Sequence, residues 1–242
     1  MKETALITGA SRGIGRGIAY ALAKEGYDLI LICHENTSLL TSLAQELKDA
    51  YQTRSFCFTG DVSDYSFLLH VKKEMEKESP VVTVIVNNAG ISHYGLLNDM
   101  EVSEWHRVIN TNLSSMFYTT KLFSPEMISR KFGHIINITS MWGQRGASCE
   151  VCYSASKGGV DAYTKALAKE LAPSNVFVNA ISCGVMDTDM MKIFDESERK
   201  ELEEEIPMGR FGTPKEVGKA VVSLLSNTYM TGQIIGLDGG YF

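Results

Sequence analysis

Short apolar runs alternate with longer amphipathic segments along the whole chain of 242 residues. The apolar runs predict seven strands, at 4–8, 28–33, 54–59, 82–87, 134–139, 176–181 and 233–237. Helices are predicted between them, and the longer ones cover 37–50, 65–77, 105–129, 153–171 and 215–225. Nearly continuous hydrophobic strands separated by helices indicate an α/β fold with a parallel sheet covered on both faces. Right-handed crossovers make that sheet doubly wound, with ligands at the carboxyl ends of its strands.

The chain is expected to form one domain spanning 1–242, because no proline-rich linker or internal repeat divides it. One segment, 186–212, interrupts the alternation and contains a dense run of charged residues at 195–201. A charge run is usually a solvated helix face. The position of this segment after the sixth strand also suits a mobile lid over a substrate. Both interpretations stay open.

The composition bears on location and partners. A net charge of −6 without a concentrated basic stripe gives no electrostatic case for nucleic acid binding. Apolar runs such as 81–86 are too short to cross a bilayer, and the first strand begins too early for a signal peptide to precede it. We therefore expect a cytoplasmic protein with no membrane partner.

The five cysteines are an odd number and are scattered, which suits reduced thiols. Cys149 and Cys152 form a Cys-x-x-Cys pair, but no second pair completes a zinc site, so no metal is predicted. A redox role for the pair stays open, and small residues lining a loop are favoured.

A glycine-rich turn lies between the first strand and the first helix, in Thr8-Gly-Ala-Ser-Arg-Gly-Ile-Gly15. Glycines let the backbone approach a pyrophosphate closely, and the unpaired N–H groups of a helix N-terminus meet the anion. This layout predicts a Rossmann-type nucleotide site. The residues predicted to contact the cofactor here are Gly9, Ser11, Arg12, Gly13, Ile14 and Gly15.

Tyr153 and Lys157 lie in Tyr-Ser-Ala-Ser-Lys, with Ser140 upstream. On a helix the tyrosine and the lysine share one face, one turn apart. An ammonium beside a phenol favours the phenolate, so we expect Lys157 to lower the pKa of Tyr153 from its reference near ~10. A phenol tuned in this way can exchange a proton with a substrate oxygen. The motif alone is weak, and the nucleotide site in the same chain strengthens it.

Together these motifs resemble the short-chain dehydrogenase/reductase family, in its compact single-domain form, over essentially the whole chain. The resemblance rests on the glycine-rich turn, Asn87-Asn-Ala-Gly90, Asn112, Ser140, Tyr153-Ser-Ala-Ser-Lys157 and Asp187-Thr188. It implies catalytic roles for four residues. Tyr153 is the proton donor to a carbonyl, Ser140 orients that carbonyl, and Lys157 holds the nicotinamide ribose. Asn112 supports a water relay behind the lysine.

The same resemblance implies further contacts with a nicotinamide cofactor, whose ring supplies the hydride. Asp61 and Val62 are similar to the residues that meet the adenine, and Thr188 to the threonine that meets the carboxamide. The other residues implied to border the cofactor are Asn88, Ala89, Gly90, Tyr153, Lys157 and Met186.

The end of the second strand decides between NADH and NADPH. A carboxylate there binds the ribose 2′-hydroxyl and repels a 2′-phosphate, but the position is occupied by Cys33. His34 and Arg12 favour a phosphate. Glu35 would argue for NADH if the register moved by one residue. We predict NADP(H).

The sequence is compatible with two candidate substrates. The chain is most similar to bacterial 3-oxoacyl-acyl-carrier-protein reductases, through the glycine-rich turn, 112–117 and 188–190. Basic residues would dock the acidic carrier, and Arg130 and Lys131 are candidates, but the end of the Tyr153 helix is uncharged. Residues 142–151 resemble a subgroup that reduces a 5-aminopentanone group on elongation factor P, where Glu150 would pair with the amine. Alternatively, Glu150 is a solvated acid at a helix start. The fatty-acid interpretation is ranked first.

Two further points follow from the resemblance. The family commonly has Pro-Gly after the sixth strand, whereas this chain has Ser182-Cys-Gly184, which is expected to loosen the lid. Relatives of this form assemble into tetramers, so a homotetramer is expected. A non-catalytic NADP(H)-binding sensor is the alternative of a different class, and such a protein would be expected to have lost part of the catalytic set.

Overall fold

Seven parallel strands form one sheet in the order β3-β2-β1-β4-β5-β6-β7. They are β1 Glu3–Thr8, β2 Asp28–Cys33, β3 Ser55–Thr59, β4 Val81–Asn87, β5 Gly133–Ser140, β6 Val176–Cys183 and β7 Ile234–Leu237. The computed structural model describes residues 2–189, 191 and 194–242. The prediction of a doubly wound parallel sheet of the Rossmann type is confirmed, because the order reverses beside β1, which pairs with both β2 and β4.

The described ranges contain nine α-helices. They are α1 Gly13–Lys24, α2 Thr37–Tyr51, α3 Tyr65–Glu78, α4 Val102–Ile109, α5 Ser115–Arg130, α6 Met141–Arg145, α7 Val151–Leu171, α8 Glu196–Glu205 and α9 Pro214–Leu225. None of the helices in the described chain is both long enough and apolar enough to span a membrane.

Each face of the sheet has its own apolar core, because the side chains of a strand alternate between the two faces. On one face, α1, α2 and α9 pack on residues such as Ile7 and Leu31. On the other face, α3, α5 and α7 pack on residues such as Leu6 and Ile30. The strands read as continuous apolar runs because both of their faces are covered.

The predicted helix at 105–129 is divided by a π-helical turn at Asn110–Ser114. This turn separates α4 from α5, and Asn112 in it is completely buried. A π-helical turn contains one more residue than an α-helical turn. The apolar spacing on each side of it is still that of a helix. The predicted helical segment at 105–129 is therefore helical throughout, with a π-helical turn that the sequence did not indicate.

The two ends of segment 186–212 lie side by side. Met186 and Gly212 form a parallel bridge, in which Asp187 N–H donates to the Gly212 carbonyl at 2.8 Å. Helix α8 lies between these ends, and Asp195 and Glu198 form a capping box at its start. Met190, Lys192 and Ile193, which belong to the predicted lid, lie outside the described residues. The mobile lid stays a prediction.

Candidate active site

The glycine-rich turn connects β1 to the start of α1. Gly9 and Gly13 have positive φ angles of 66° and 53°. A Cβ on Gly9 would lie 2.9 Å from Asn88 Nδ2, so a larger residue does not fit there. Arg12 precedes the helix in extended backbone, and its side chain makes no capping hydrogen bond. The first turn of α1 also lacks acidic residues, so its free N–H groups suit a diphosphate.

Asn88 fixes the crevice where the strand order reverses. Its Nδ2 donates to the carbonyls of Thr8, at 2.9 Å, and Gly9, at 3.1 Å. The backbone N–H groups of Asn88 and Ala89 both donate to Thr8 Oγ1, at 3.0 Å each. These four bonds hold the end of β4 beside the glycine-rich turn. The predicted cofactor residues Gly9, Asn88 and Ala89 are therefore brought together.

A cavity of about 180 Å³ opens at the carboxyl ends of β4, β5 and β6. Three of the four predicted catalytic residues line it, namely Ser140, Tyr153 and Lys157. Seven of the predicted cofactor contacts line the cavity, because Ile14, Asn88, Gly90, Met186 and Thr188 join Tyr153 and Lys157 there. These predicted catalytic residues and the nicotinamide end of the predicted cofactor site therefore meet in one place.

Lys157 lies over the ring of Tyr153, with Nζ 5.7 Å from the ring centroid. Its ammonium donates to the Ile138 carbonyl at 2.9 Å. Burial lowers the pKa of Lys157 to about 8. Burial also raises the pKa of Tyr153, and a hydrogen bond with Ser140 opposes this only partly. Lys157 is not among the causes of this shift, so the structure does not bear out the expected lowering of the Tyr153 pKa by Lys157.

Ser140 ends β5 and starts α6. Its Oγ accepts a hydrogen bond from the Trp142 N–H at 3.3 Å. The residue is 6% exposed, so its hydroxyl opens to the cavity while its backbone is held in the sheet opposite Cys183. The hydroxyl is therefore fixed next to the Tyr153 phenol.

Asn112 lies behind this cavity and does not line it. Its Oδ1 accepts from the Ile91 N–H at 2.8 Å, and its Nδ2 donates to the Ile91 carbonyl at 2.9 Å. Nδ2 also donates to Ser156 Oγ at 3.0 Å. The side-chain amide thus joins the loop after β4 to helix α7. The predicted water relay is not tested by these contacts.

The other predicted cofactor residues lie at the ends of β2 and β3, away from this cavity. His34 Nδ1 is 3.4 Å from Glu35 Oε1, and both side chains are exposed. Asp61 Oδ1 accepts from the Ser63 N–H at 2.8 Å, and Val62 is buried. These residues occupy the side of the crevice where an adenosine would lie if the diphosphate bound at the glycine-rich turn.

Arg12 and Ser11 belong to the glycine-rich turn itself. Arg12 is exposed, and its guanidinium lies 3.4 Å from Asp189 Oδ2 at the start of the lid segment. Ser11 is buried. Arg12 therefore connects the turn to segment 186–212 and remains accessible to an anionic ligand.

The sequence did not predict the rest of the cavity wall. Seven of its residues come from four segments, and they are Ser92, Tyr94, Met141, Trp142, Cys183, Met191 and Phe194. Cys183 is buried, and burial raises its pKa to about 12. The only sign of these residues in the sequence came from the loop after β4 and the segment after β6. The carboxyl ends of parallel strands meet at one edge of the sheet, where ligands bind.

Glu150 also lines this cavity, at the residue that precedes α7. Its side chain makes no capping hydrogen bond. Burial raises its pKa, and no cation among the described residues contributes to that shift. The carboxyl group therefore stands partly desolvated in the cavity, and none of the described residues forms an ion pair with it.

The doubly wound sheet, the glycine-rich turn at its switch point and the tyrosine–lysine pair in the adjoining cavity define an oxidoreductase of the dinucleotide-binding class. The short chain dehydrogenase family model matches residues 3–199. The 3-oxoacyl-[acyl-carrier-protein] reductase FabG of Aquifex aeolicus is 35% identical to this chain, over 99% of this chain and 97% of that reductase. The chain therefore belongs to the short chain dehydrogenase family, whose members bind nicotinamide cofactors.

Two other similarities cover nearly the full length. The uncharacterized oxidoreductase YmfI of Bacillus subtilis is 38% identical, over 100% of this chain and 99% of YmfI. A solved structure of a provisionally assigned gluconate dehydrogenase from Agrobacterium tumefaciens has a TM-score of 0.94 and 32% identity. It covers 99% of this chain and 95% of that one. The resemblance inferred from the motifs is confirmed at the level of the family.

Proposed function

We propose that this protein is an NADPH-dependent carbonyl reductase with Tyr153 as its proton donor. The observation that carries the proposal is the meeting of Ser140, Tyr153 and Lys157 in one cavity beside the glycine-rich turn. A protein that only sensed the cofactor would not need a phenol, a hydroxyl and an ammonium around the place where a carbonyl would bind. The non-catalytic alternative has no comparable support.

When bound, the nicotinamide supplies the hydride that a carbonyl carbon accepts. Ser140 donates a hydrogen bond to the carbonyl oxygen and orients it. The Tyr153 phenol gives its proton to the same oxygen as negative charge develops there. Burial keeps Tyr153 protonated before reaction, which suits a proton donor. Lys157 stabilises the phenolate left behind, because its ammonium already lies over the tyrosine ring.

NADPH is proposed as the cofactor because no carboxylate occupies the end of β2. Cys33 ends this strand and is buried. Glu35, whose carboxylate would favour NADH, is exposed and lies beside His34. Arg12 is accessible at the glycine-rich turn and can bind a 2′-phosphate.

A 3-oxoacyl thioester is the substrate supported by the relatives named as 3-oxoacyl-[acyl-carrier-protein] reductases. The apolar wall made by Met141, Trp142 and Phe194 suits an acyl chain. In this case an acyl carrier protein is the partner. The partly desolvated carboxyl group of Glu150 in the same cavity does not favour this substrate, because an acyl chain offers it no charged or hydrogen-bonding partner.

A ketone bearing a primary amine is the second candidate, and Glu150 favours it. An ammonium bound there would form a charge-assisted hydrogen bond in a partly dry cavity. The 5-aminopentanone group on elongation factor P has this chemistry, and residues 142–151 resemble the proteins that reduce it. The position of Glu150 in the cavity wall is the observation that favours this substrate over the thioester. We further propose a cytoplasmic homotetramer.

The proposal is tested by measuring NADPH and NADH consumption with an acetoacetyl thioester and with elongation factor P that carries the 5-aminopentanone group. Tyr153→Phe should abolish turnover and leave NADPH binding intact. Tyr229→Phe, at a fully exposed tyrosine, is the matched control. Turnover that survives in Tyr153→Phe would contradict the assignment of the proton donor. An NADPH-binding protein that reduces neither ketone would overturn both substrate proposals.

Glu150→Gln separates the two substrates. It should raise the KM of the amine-bearing ketone at least tenfold, since it removes one charge-assisted contact of about 1.5–3 kcal/mol. The rate of thioester reduction should stay the same or rise. Glu101→Gln is the control, because Glu101 also precedes a helix, makes no capping hydrogen bond and is exposed. Equal effects on both substrates would rule out recognition of an amine by Glu150.

A further inference from the structure

The segment after β7 ends in two aromatic residues that pack on the wall of the cavity. The ring of Phe242 lies 5.6 Å from that of Trp142, and the ring of Tyr241 lies 6.2 Å from it. The two rings are 5.0 Å apart from each other, and all three pairs are edge-on. The Arg145 guanidinium lies 4.9 Å from the Phe242 centroid. Edge-on pairs and a cation over a ring are the arrangements that aromatic rings prefer.

Trp142 connects this cluster to the reacting groups. It lines the cavity together with Tyr153 and Lys157. Its backbone N–H donates to Ser140 Oγ. The next residue, Gly143, lies against helix α7, where a Cβ would come within 2.7 Å of the Lys157 carbonyl carbon. The position of Trp142 is therefore set on one side by the catalytic elements and on the other by Tyr241 and Phe242.

The residues after β7 also contact segment 186–212 at the end of α8 and just beyond it. The Tyr241 hydroxyl donates to the carboxylate of Glu205, the last residue of α8. The Met208 N–H donates to the Gly239 carbonyl at 3.1 Å. Before segment 186–212 begins, the Gly184 N–H donates to the carbonyl of Leu237, the last residue of β7, at 3.0 Å. The residues after β7 thus contact α8, the residue Met208 beyond it and Trp142 of the cavity wall.

We propose that Tyr241 and Phe242 are positioning residues that fix Trp142 and fasten helix α8, and so set the affinity of the cavity for its ketone. Neither residue lines the cavity or touches the reacting groups. They act through Trp142 on one side and Glu205 on the other. Their role in affinity rests on the proposed carbonyl reduction, whereas the coupling of α8 to Trp142 does not.

The kinetic test uses Tyr241→Phe and Phe242→Ala. Tyr241→Phe removes only the hydroxyl that reaches Glu205, and Tyr229→Phe makes the same change at a fully exposed position. In Tyr241→Phe we expect the KM for the ketone to rise about five- to tenfold, from the loss of one hydrogen bond to a charged group. The kcat and the dissociation constant of NADPH should change less than about twofold, since the catalytic set is untouched. Glu205→Gln should behave like Tyr241→Phe, and the double variant should add little to either.

A second readout does not need turnover. The chain has two tryptophans, so in a Trp105→Phe background the emission reports on Trp142 alone. Phe242→Ala should shift that emission to longer wavelength, and Tyr241→Phe should increase the rate of proteolysis within 186–212 several-fold. Tyr229→Phe should do neither.

The outcomes separate the two proposals. If the wild type reduces no ketone, the proposed function fails, and emission and proteolysis alone decide whether the segment couples α8 to Trp142. Unchanged emission, proteolysis and KM in the variants would overturn the inference. So would a loss of NADPH binding that equals the loss of ketone binding, because the residues would then only support the fold.

Discussion

The side-chain amide of Asn112 donates to the hydroxyl of Ser156 across 3.0 Å, between two helices that are far apart in the chain. Ser156 Oγ in turn donates to the Tyr153 carbonyl at 2.7 Å. The π-helical turn around Asn112 brings this amide to the first turns of α7, where the candidate proton donor lies. The bond therefore holds the helical turn of Tyr153 against the loop after β4.

Replacing Asn112 with alanine should impair both stability and turnover. Three hydrogen bonds of a fully buried side chain are lost, and the Ile91 N–H and carbonyl lose their partner. We expect the free energy of unfolding to fall by about 2–4 kcal/mol, as buried polar groups are left unsatisfied. The kcat should fall at least tenfold. Urea unfolding and steady-state kinetics measure the two effects.

Asn110→Ala is the control for this prediction. Asn110 lies in the same π-helical turn but is exposed, and its one side-chain contact is with Ser114 at 3.3 Å. It should leave stability within about 0.5 kcal/mol of the wild type. Similar losses in both variants would mean that the helical turn, and not the Asn112 amide, is what matters.

Arg12→Ala should reduce the preference for NADPH. The guanidinium is exposed at the glycine-rich turn, 3.4 Å from Asp189 Oδ2, where it is accessible to a 2′-phosphate. We expect the dissociation constant of NADPH to rise about tenfold, the effect of losing one charge-assisted contact. That of NADH should hardly change. Fluorescence titration with both cofactors checks this, with Arg107→Ala as a control at an exposed arginine paired with Glu104. Equal weakening of both cofactors would assign Arg12 to the shared diphosphate instead.

His134 should make the fold less stable in mild acid. It is 2% exposed between the rings of Phe132 and Phe177, its Nδ1 has no hydrogen-bond partner, and burial lowers its pKa to about 4. Between pH 6.5 and 4 the unfolded chain binds this proton and the folded chain does not. Stability is therefore full above about pH 6.5 and falls as the pH drops toward 4, by up to about 3 kcal/mol.

Urea unfolding at several pH values tests this against His134→Phe, which keeps a ring in the aromatic stack. The difference in unfolding free energy between wild type and variant should shift with pH in that window. His70→Gln, at an exposed histidine, should keep the wild-type dependence. An unchanged slope in His134→Phe would assign the acid sensitivity to carboxylates.

The cysteines should differ in reactivity by position. Cys57 is exposed and Cys149 is half-buried, whereas Cys33, Cys152 and Cys183 are buried. Cys183 opens to the catalytic cavity, but its raised pKa keeps it a thiol at pH 8. Brief alkylation of the folded protein followed by peptide mass spectrometry should find label on Cys57 and Cys149. Rapid labelling of Cys183 would contradict its described burial.

The sequence was sufficient for the sheet, because each strand is a nearly continuous apolar run between helices. Strand β2 begins and ends at the predicted residues, and β5 extends the prediction by one residue at each end. The glycine-rich turn and the tyrosine–lysine pair were recognisable because their spacing is local. Their meeting in one cavity then follows from the topology.

Features that depend on contacts between distant segments were beyond the sequence. The π-helical turn at Asn110–Ser114 leaves no trace in apolar spacing. The pKa of Tyr153 depends on how deeply its ring is buried, which the spacing to Lys157 does not encode. The contact of Trp142 with Phe242 joins residues that are remote in the chain. Each of these features depends on tertiary contacts, which a local pattern in the sequence does not specify.

The four hydrogen bonds that join Thr8, Gly9, Asn88 and Ala89 have a kinetic consequence. They use only protein groups, so the crevice at the switch point already has its shape in the free protein. Cofactor association should then need no slow rearrangement of this crevice. In rapid mixing, the observed rate of NADPH binding should rise linearly with its concentration as a single exponential, and any plateau would have to arise from segment 186–212.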